Sequence, residues 1–152
     1  MTFVLAQWLA TVIAVIALVH VYWAFGGEWA AVAVVPQVPV EGGAQLQPAF
    51  KPRGWMTMLV AAALLVIALL VCLRVGWWLP QVDHKGLQWV ISAIALLLFA
   101  RAIGDSELVG FFKEVKGSGF AQLDTWVYSP LCVLLGAGLL AVAWAKIAAM
   151  AS

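Results

Sequence analysis

Charged side chains border long apolar runs in the second half of this chain. Arg101 and Asp105 close one such run, and Lys113 and Asp124 lie between it and the next. Guanidinium and ammonium groups bind phosphate or carboxylate groups, and an aspartate can orient them through charge-assisted hydrogen bonds. These residue types predict an anion-binding site.

Arg101 and Asp105 are four positions apart, so on a helix they share one face, where opposite charges can pair. An arginine without a partner at the centre of a membrane helix costs roughly 2.5–3.5 kcal/mol, and less near the interface. We therefore expect Asp105 to orient Arg101. The alternative is that Arg101 reaches the lipid headgroups while Asp105 is solvated.

His20, near the end of the first apolar run, could act as acid and base with Asp105 or Asp124, since burial tunes such groups toward neutral pH. A histidine near a helix end is more often a hydrogen-bonded structural group. A haem held by two histidines is not expected, because His20 and His84 fall on opposite membrane faces. The sequence contains no His-Glu-x-x-His or related motif, so we expect no metal and no cofactor.

The elements that position these residues are membrane helices. Of the 152 residues, 66% are hydrophobic and 10% are charged, and the mean hydropathy is +1.06. A water-soluble domain of this length could not bury so much apolar surface. A formal charge of +1 with scattered lysines and arginines argues against nucleic-acid binding. The first run lacks a basic start and a small-residue cleavage site, so we expect a retained helix and not a signal peptide.

Four apolar runs predict four transmembrane helices, since about 20 helical residues cross the hydrocarbon core of a bilayer. Ser129 and Pro130 are a typical helix start, as N-cap and first helical residue. The long loops 26–54 and 106–129 share one membrane face. We predict an all-α, integral membrane four-helix bundle, a single domain over 1–152 with helices at about 3–25, 55–73, 86–105 and 130–150.

Alanines recur every four residues in the first and the last predicted helix. They stand at Ala6, Ala10 and Ala14, and at Ala137, Ala141, Ala145 and Ala149. Stripes of small residues allow membrane helices to approach one another closely, either inside the bundle or against a partner.

Several stretches resemble a family of small four-helix bacterial membrane proteins described as a domain of unknown function. They are His20–Gly27 (HVYWAFGG), Val34–Pro36 (VVP), Arg101–Asp105 (RAIGD), Val109–Lys113 (VGFFK) and Phe120–Cys132 (FAQLDTWVYSPLC). The likeness runs from about residue 10 to residue 140. It implies a multi-pass protein of the bacterial cytoplasmic membrane with a shared role for the polar end, and it implies no activity. Its motif positions are His20, Tyr22, Trp23, Arg101, Gly104, Asp105, Lys113, Asp124, Tyr128 and Pro130.

The sequence favours a polar pocket at the membrane interface that binds a small amphiphile or a lipid headgroup. The expected ligand-binding residues are His20, Tyr22, Trp23, Arg101, Asp105, Lys113, Asp124 and Tyr128, with Arg101 and Lys113 holding the anionic group. A first alternative is an accessory subunit that docks its alanine stripes and tryptophan-rich surface against a larger membrane complex. A second is an intramembrane enzyme that modifies a lipid or isoprenoid through His20 and an aspartate. Whether the protein is an enzyme stays open.

Overall fold

The computed structural model describes residues 1–40, 45–77, 84–104 and 107–145. Its helices and strands follow the chain as α1 (Thr2–Ala24), α2 (Ala31–Val34), β1 (Gln37–Pro39), β2 (Leu46–Pro48), α3 (Gly54–Arg74), α4 (His84–Ile103), α5 (Gly119–Leu123), a π-helical turn (Asp124–Tyr128) and α6 (Ser129–Trp144). In this part of the chain four helices are long and apolar enough to cross a membrane: α1, α3, α4 and the continuous Gly119–Trp144. The predicted all-α membrane bundle is confirmed.

The first three spans follow the apolar runs closely. Helix α1 lies one residue before the predicted 3–25, and α3 extends one residue beyond each end of the predicted 55–73. Helix α4 begins two residues earlier than predicted and ends at Ile103, where Gly104 adopts a φ of +93° and breaks the helix. The predicted end of this helix at Asp105 lies outside the described residues, as does the predicted 146–150 end of the last helix.

The fourth span starts earlier than the sequence predicts. It begins at Gly119, after Ser118, whose Oγ accepts a 3.0 Å hydrogen bond from the backbone N–H of Ala121 and caps the helix. Ser129 has helical backbone angles and continues a helix that is already formed, so the predicted start at Ser129 and Pro130 is wrong. Residues 119–128 belong to this span and not to the predicted loop 106–129.

The π-helical turn explains how Pro130 is tolerated inside this span. Proline has no N–H to donate, and its ring crowds the carbonyl four residues earlier in a regular α-helix. The turn Asp124–Tyr128 ends two residues before Pro130, and its wider i to i+5 spacing relieves that crowding. A helix start and a π turn before a proline look alike in sequence.

The bundle consists of two helix pairs, α1 with α3 and α4 with α6, and α6 also contacts α1. Gly136 lies directly against Phe99 of α4, and Gly138 lies against Leu9 of α1. Because glycine has no side chain, α6 can approach both neighbouring helices closely at these two positions. The buried core runs along these contacts and includes Leu9, Ile13, Val71, Ile91, Leu139 and Val142.

The two alanine stripes behave differently. Ala6 and Ala10 of α1 are buried in the bundle. Ala137 and Ala141 of α6 are exposed on its outer face. In α6 the inner face is therefore built by other residues, Leu135, Gly136, Leu139, Val142 and Ala143.

We call the end of the bundle where α1 and α4 finish the loop end. There β1 and β2 form an antiparallel ladder that pairs Gln37 with Pro48, and α2 contacts α5. The hydroxyl of Tyr128 donates a 3.2 Å hydrogen bond to the carbonyl oxygen of Ala33. The first long connection therefore folds over the start of the fourth span.

Arg74 holds the opposite end of the bundle together. It is only 5% exposed, and its Nε and Nη2 donate to the carbonyl oxygen of Ala143 at 3.2 and 2.6 Å. The last carbonyls of a helix have no partner within the helix, so Arg74 of α3 caps the end of α6. Close by, the indole N–H of Trp144 donates to Ser92 Oγ at 3.2 Å.

Candidate functional site

Asp124 is the centre of a buried polar network at the loop end. Its side chain is 0% exposed. Oδ1 accepts a 2.8 Å bond from Arg101 Nη2, and Oδ2 accepts from the backbone N–H of Gly110 at 2.7 Å and from Lys113 Nζ at 3.1 Å. Three donors, two of them cationic, offset the cost of removing this carboxylate from water.

Lys113 is buried in the same network, with only 2% of its surface exposed. Besides Asp124, its Nζ donates to the carbonyl oxygen of Gly110 at 2.8 Å and to Thr125 Oγ1 at 2.7 Å. An ammonium group has three N–H donors, so this set of acceptors uses all of them. We call Arg101, Gly110, Lys113, Asp124 and Thr125 the Asp124 network.

Two glycines shape the loop that carries Gly110 to Asp124. Gly104 and Gly110 have φ values of +93° and +90°, which side chains disfavour. Their backbones touch: a Cβ on Gly104 would overlap the carbonyl of Val109, and one on Gly110 would overlap the carbonyl of Ile103. The loop can return to the end of α4 only because both positions lack a side chain.

The π-helical turn sets the direction of Asp124, which is its first residue. A π turn contains one residue more than an α turn. The residues before it are therefore rotated about the helix axis relative to the residues after it. Here the shift brings Asp124 to the side that faces Arg101 of α4. The carboxylate is thus positioned by backbone geometry as well as by its partners.

A cleft of about 290 Å³ opens beside the Asp124 network. It is lined by Phe111, Lys113, Lys116, Ala121, Gln122, Thr125 and Trp126. Buried Lys113 and half-buried Thr125 form its floor, whereas Lys116 and Gln122 are exposed and Trp126 is 81% exposed at its rim. The cleft thus combines an exposed ammonium group, neutral hydrogen-bonding groups and aromatic rings, which together suit an anionic group at a membrane surface.

The structure places His20, Tyr22 and Trp23 in a separate cluster at the end of α1. His20 Nδ1 donates to the carbonyl of Ile16 at 2.8 Å, and its ring meets Trp23 edge to face at 5.2 Å. The indole N–H of Trp23 donates to the carbonyl of Trp29 at 2.7 Å, and the Trp29 N–H donates to the Tyr22 hydroxyl at 3.4 Å. These three predicted residues do not line the cleft.

The remaining predicted residues divide between the network and its surroundings. Arg101, Lys113 and Asp124 meet in the Asp124 network, and Tyr128 bonds to Ala33 one turn further along the fourth span. Asp105, the expected partner of Arg101, lies outside the described residues. The carboxylate that the structure brings to Arg101 is that of Asp124.

Six of the seven residues that line the cleft were not among the predicted ligand-binding residues: Phe111, Lys116, Ala121, Gln122, Thr125 and Trp126. Three of them, Gln122, Thr125 and Trp126, stand at positions i, i+3 and i+4, which share one face of a helix. Treating residues 119–128 as a loop hid this face. Recognition of Ser118 as the N-cap would have revealed it.

The chain belongs to the family described as protein of unknown function (DUF3995), whose model matches residues 13–139. The resemblance of its motifs predicted such a family, and the match covers most of the chain. Comparison with curated proteins and comparison with solved structures both give no match.

Proposed function

We propose that this member of the DUF3995 family binds the anionic headgroup of a membrane amphiphile in the cleft beside the Asp124 network. The observation that carries the proposal is the meeting of exposed Lys116 with Gln122 and the rim tryptophan Trp126 at the loop end. Basic and aromatic side chains at a membrane interface suit phosphate-bearing lipid headgroups. Following the family resemblance, we assign the protein to the bacterial cytoplasmic membrane.

In this proposal Lys116 pairs with the anionic group and Gln122 donates a hydrogen bond to it. Arg101 and Lys113 support the site instead of contacting the ligand, because their donors are directed to Asp124 and its neighbours. This differs from the direct contacts that the sequence suggested for them. A rigid floor keeps the cleft in a binding-ready shape and lowers the entropy cost of binding.

The size of the cleft favours a headgroup over a whole lipid. Its volume of about 290 Å³ is at the small end of the range of roughly 300–1,000 Å³ typical of ligand sites. Phe111 and Trp126 at its rim are exposed and lie where hydrocarbon tails would leave the cleft for the bilayer. The tails therefore stay outside.

Native mass spectrometry of the protein in a mild detergent, titrated with phosphatidylglycerol or phosphatidylcholine, tests the proposal. Lys116→Gln should weaken retention of the anionic lipid about tenfold, the effect of losing roughly 1.4 kcal/mol of a charged hydrogen bond. Lys51→Gln is the matched control, since Lys51 is also exposed at the loop end but lies outside the cleft. Equal retention by wild type and both variants would refute the proposal.

An accessory-subunit function is the second candidate. It is favoured by the outward orientation of Ala137 and Ala141 on α6, since small residues at an outer face allow a partner helix to approach closely. Introduction of leucine at both positions should release a stoichiometric membrane partner during purification while leaving the bundle folded. Purification of wild type without any such partner would count against this function.

The enzyme alternative has less support from the geometry. Asp124 receives three hydrogen bonds and two cationic partners, so it is a weak candidate for a general base. His20 bonds within its own helix to Ile16 and contacts Trp23, not Asp124.

A further inference from the structure

The floor of the cleft differs from its rim in the hydrogen bonds that it can still form. Lys113 and Thr125 line this floor, and both side chains already bond within the protein. Lys113 Nζ donates to the carbonyl oxygen of Gly110 and to Asp124 Oδ2. Its third bond goes to Thr125 Oγ1 at 2.7 Å. Because an ammonium group has three N–H donors, Lys113 has none left for a ligand.

The hydroxyl of Thr125 keeps one acceptor position but no free proton. An ammonium group cannot accept a hydrogen bond, so Thr125 Oγ1 is the acceptor in its bond with Lys113. Its single proton is donated to the carbonyl oxygen of Ala121 at 3.0 Å. A hydroxyl oxygen has two lone pairs, and Lys113 uses one of them. The second lone pair of this half-buried side chain therefore remains for a ligand in the cleft.

Free side-chain donors of the cleft stand at its rim. Lys116 and Gln122 are exposed and line the cleft. Neither side chain forms a hydrogen bond or an ion pair with another residue in the described part of the chain. An ammonium group and an amide N–H both bind anionic oxygen atoms, whereas Lys113 and Thr125 on the floor offer such an oxygen no proton. The anionic group therefore binds at the rim, and the ligand atom that reaches the floor must itself donate a hydrogen bond.

We propose that the headgroup bound in the cleft carries a hydroxyl group beside its phosphate, as glycerol headgroups do, and that Thr125 Oγ1 accepts a hydrogen bond from this hydroxyl. The inference rests on the proposed function and adds the class of headgroup to it. An ammonium group also donates hydrogen bonds, but Lys113 Nζ lies 2.7 Å from the accepting oxygen and repels a second cation there. A hydroxyl forms the same bond without a charge. Thr125 thus selects among anionic headgroups.

Native mass spectrometry in a mild detergent tests the inference with two phospholipids of equal charge and equal tails. Phosphatidylglycerol carries headgroup hydroxyls, whereas the headgroup of phosphatidylpropanol has the same carbon length and none. We expect the wild type to retain phosphatidylglycerol about fivefold better, the effect of one neutral hydrogen bond. Equal retention of both lipids that Lys116→Gln still weakens would overturn the hydroxyl inference and leave the proposed function standing. Retention of neither lipid above phosphatidylcholine would refute both.

Variants of two cleft residues assign the hydroxyl to its acceptor. Thr125→Val replaces the hydroxyl by a methyl group of similar size and should abolish the preference for phosphatidylglycerol. Thr125→Ser keeps the oxygen with its bonds to Lys113 and Ala121, so it should preserve the preference. Gln122→Met removes the amide at the rim and should weaken retention of both lipids alike. A preference that is lost in Gln122→Met but kept in Thr125→Val would place the hydroxyl on Gln122 and overturn the assignment.

The inference can also be tested without Thr125→Val, which removes one of the three acceptors of Lys113. If that variant does not fold, wild type and Gln122→Met decide. A preference for phosphatidylglycerol over phosphatidylpropanol that persists in Gln122→Met supports Thr125 as the acceptor, and its loss in Gln122→Met refutes it. Stronger retention of phosphatidylethanolamine than of phosphatidylglycerol by wild type would make an ammonium group the donor and overturn the proposal.

Discussion

The Nη2 of Arg101 lies 2.8 Å from Oδ1 of Asp124, although 23 positions separate the two residues in the chain. This bond joins the last turn of α4 to the first residue of the π turn. Because Asp124 is fully buried, the bond forms where water does not compete with it. The loop end is therefore held by a charged core as well as by apolar packing.

Replacement of Asp124 by alanine should destabilise the protein strongly. The change leaves Lys113 buried without its carboxylate, and breaking a buried ion pair in this way costs roughly 3–5 kcal/mol. Thermal unfolding in a mild detergent measures the loss. Glu114→Ala is the control, since Glu114 is an exposed carboxylate of the same loop and should change stability by less than about 0.5 kcal/mol. Similar Tm values for the two variants would show that the network contributes little.

Lys113→Ala and Asp124→Ala should be strongly non-additive. Each single change leaves a partner buried and unsatisfied at the 3.1 Å contact between Nζ and Oδ2, whereas the double variant removes both charges of this pair. Its loss of unfolding free energy should fall below the sum of the single losses by roughly 1–3 kcal/mol. A double-mutant cycle on unfolding measures this coupling, and simple additivity would contradict it.

Gly104→Ala should disrupt the loop that supplies Gly110. A positive φ costs a residue with a side chain roughly 1–2 kcal/mol, and at Gly104 the new Cβ would also overlap the carbonyl of Val109. Gly76→Ala is the matched control, because Gly76 has a φ of +74° but nothing within 4 Å of its Cβ position. Tm should fall clearly more for Gly104→Ala. Equal losses would mean that the close backbone approach has no energetic role.

Arg74→Met should destabilise the opposite end of the bundle. It removes both bonds to the carbonyl of Ala143 and leaves this buried carbonyl unsatisfied, at a cost of roughly 1–3 kcal/mol. Arg74→Lys keeps the charge but not the two-donor geometry and should lie between wild type and Arg74→Met. Hydrogen exchange near residue 143 and Tm are the measurements. An unchanged Tm in Arg74→Met would show that α6 needs no such cap.

The membrane spans could be predicted because they depend on local composition. The runs that became α1 and α3 contain no charge and end at glycine or arginine, so their ends were accurate to one residue. The start of the fourth span could not be read in the same way. Pro130 fits both a helix start and a position two residues after a π turn, and the local signal that distinguishes them is the N-cap Ser118, eleven residues earlier than the predicted cap.

The candidate site was predicted by residue type but not by pairing. Arg101, Lys113 and Asp124 were all recognised. The i, i+4 spacing nevertheless paired Arg101 with Asp105, because it considers only pairs of residues within one helix. The contact with Asp124 requires the return of the loop through Gly104 and Gly110, which no spacing reveals. Arg74 directly follows the predicted span 55–73, yet its side chain turns inward and bonds the carbonyl of Ala143.

The π turn also makes the length of the fourth span critical. A regular α-helix advances by about 100° per residue, so deletion of one residue between Asp124 and Tyr128 would rotate one half of the span by that angle relative to the other. With Gly136 kept against Phe99, the carboxylate of Asp124 would turn away from Arg101. A conservative substitution in this turn should therefore disturb the packing of the span less than deletion of one residue, because the deletion rotates one half of the helix relative to the other.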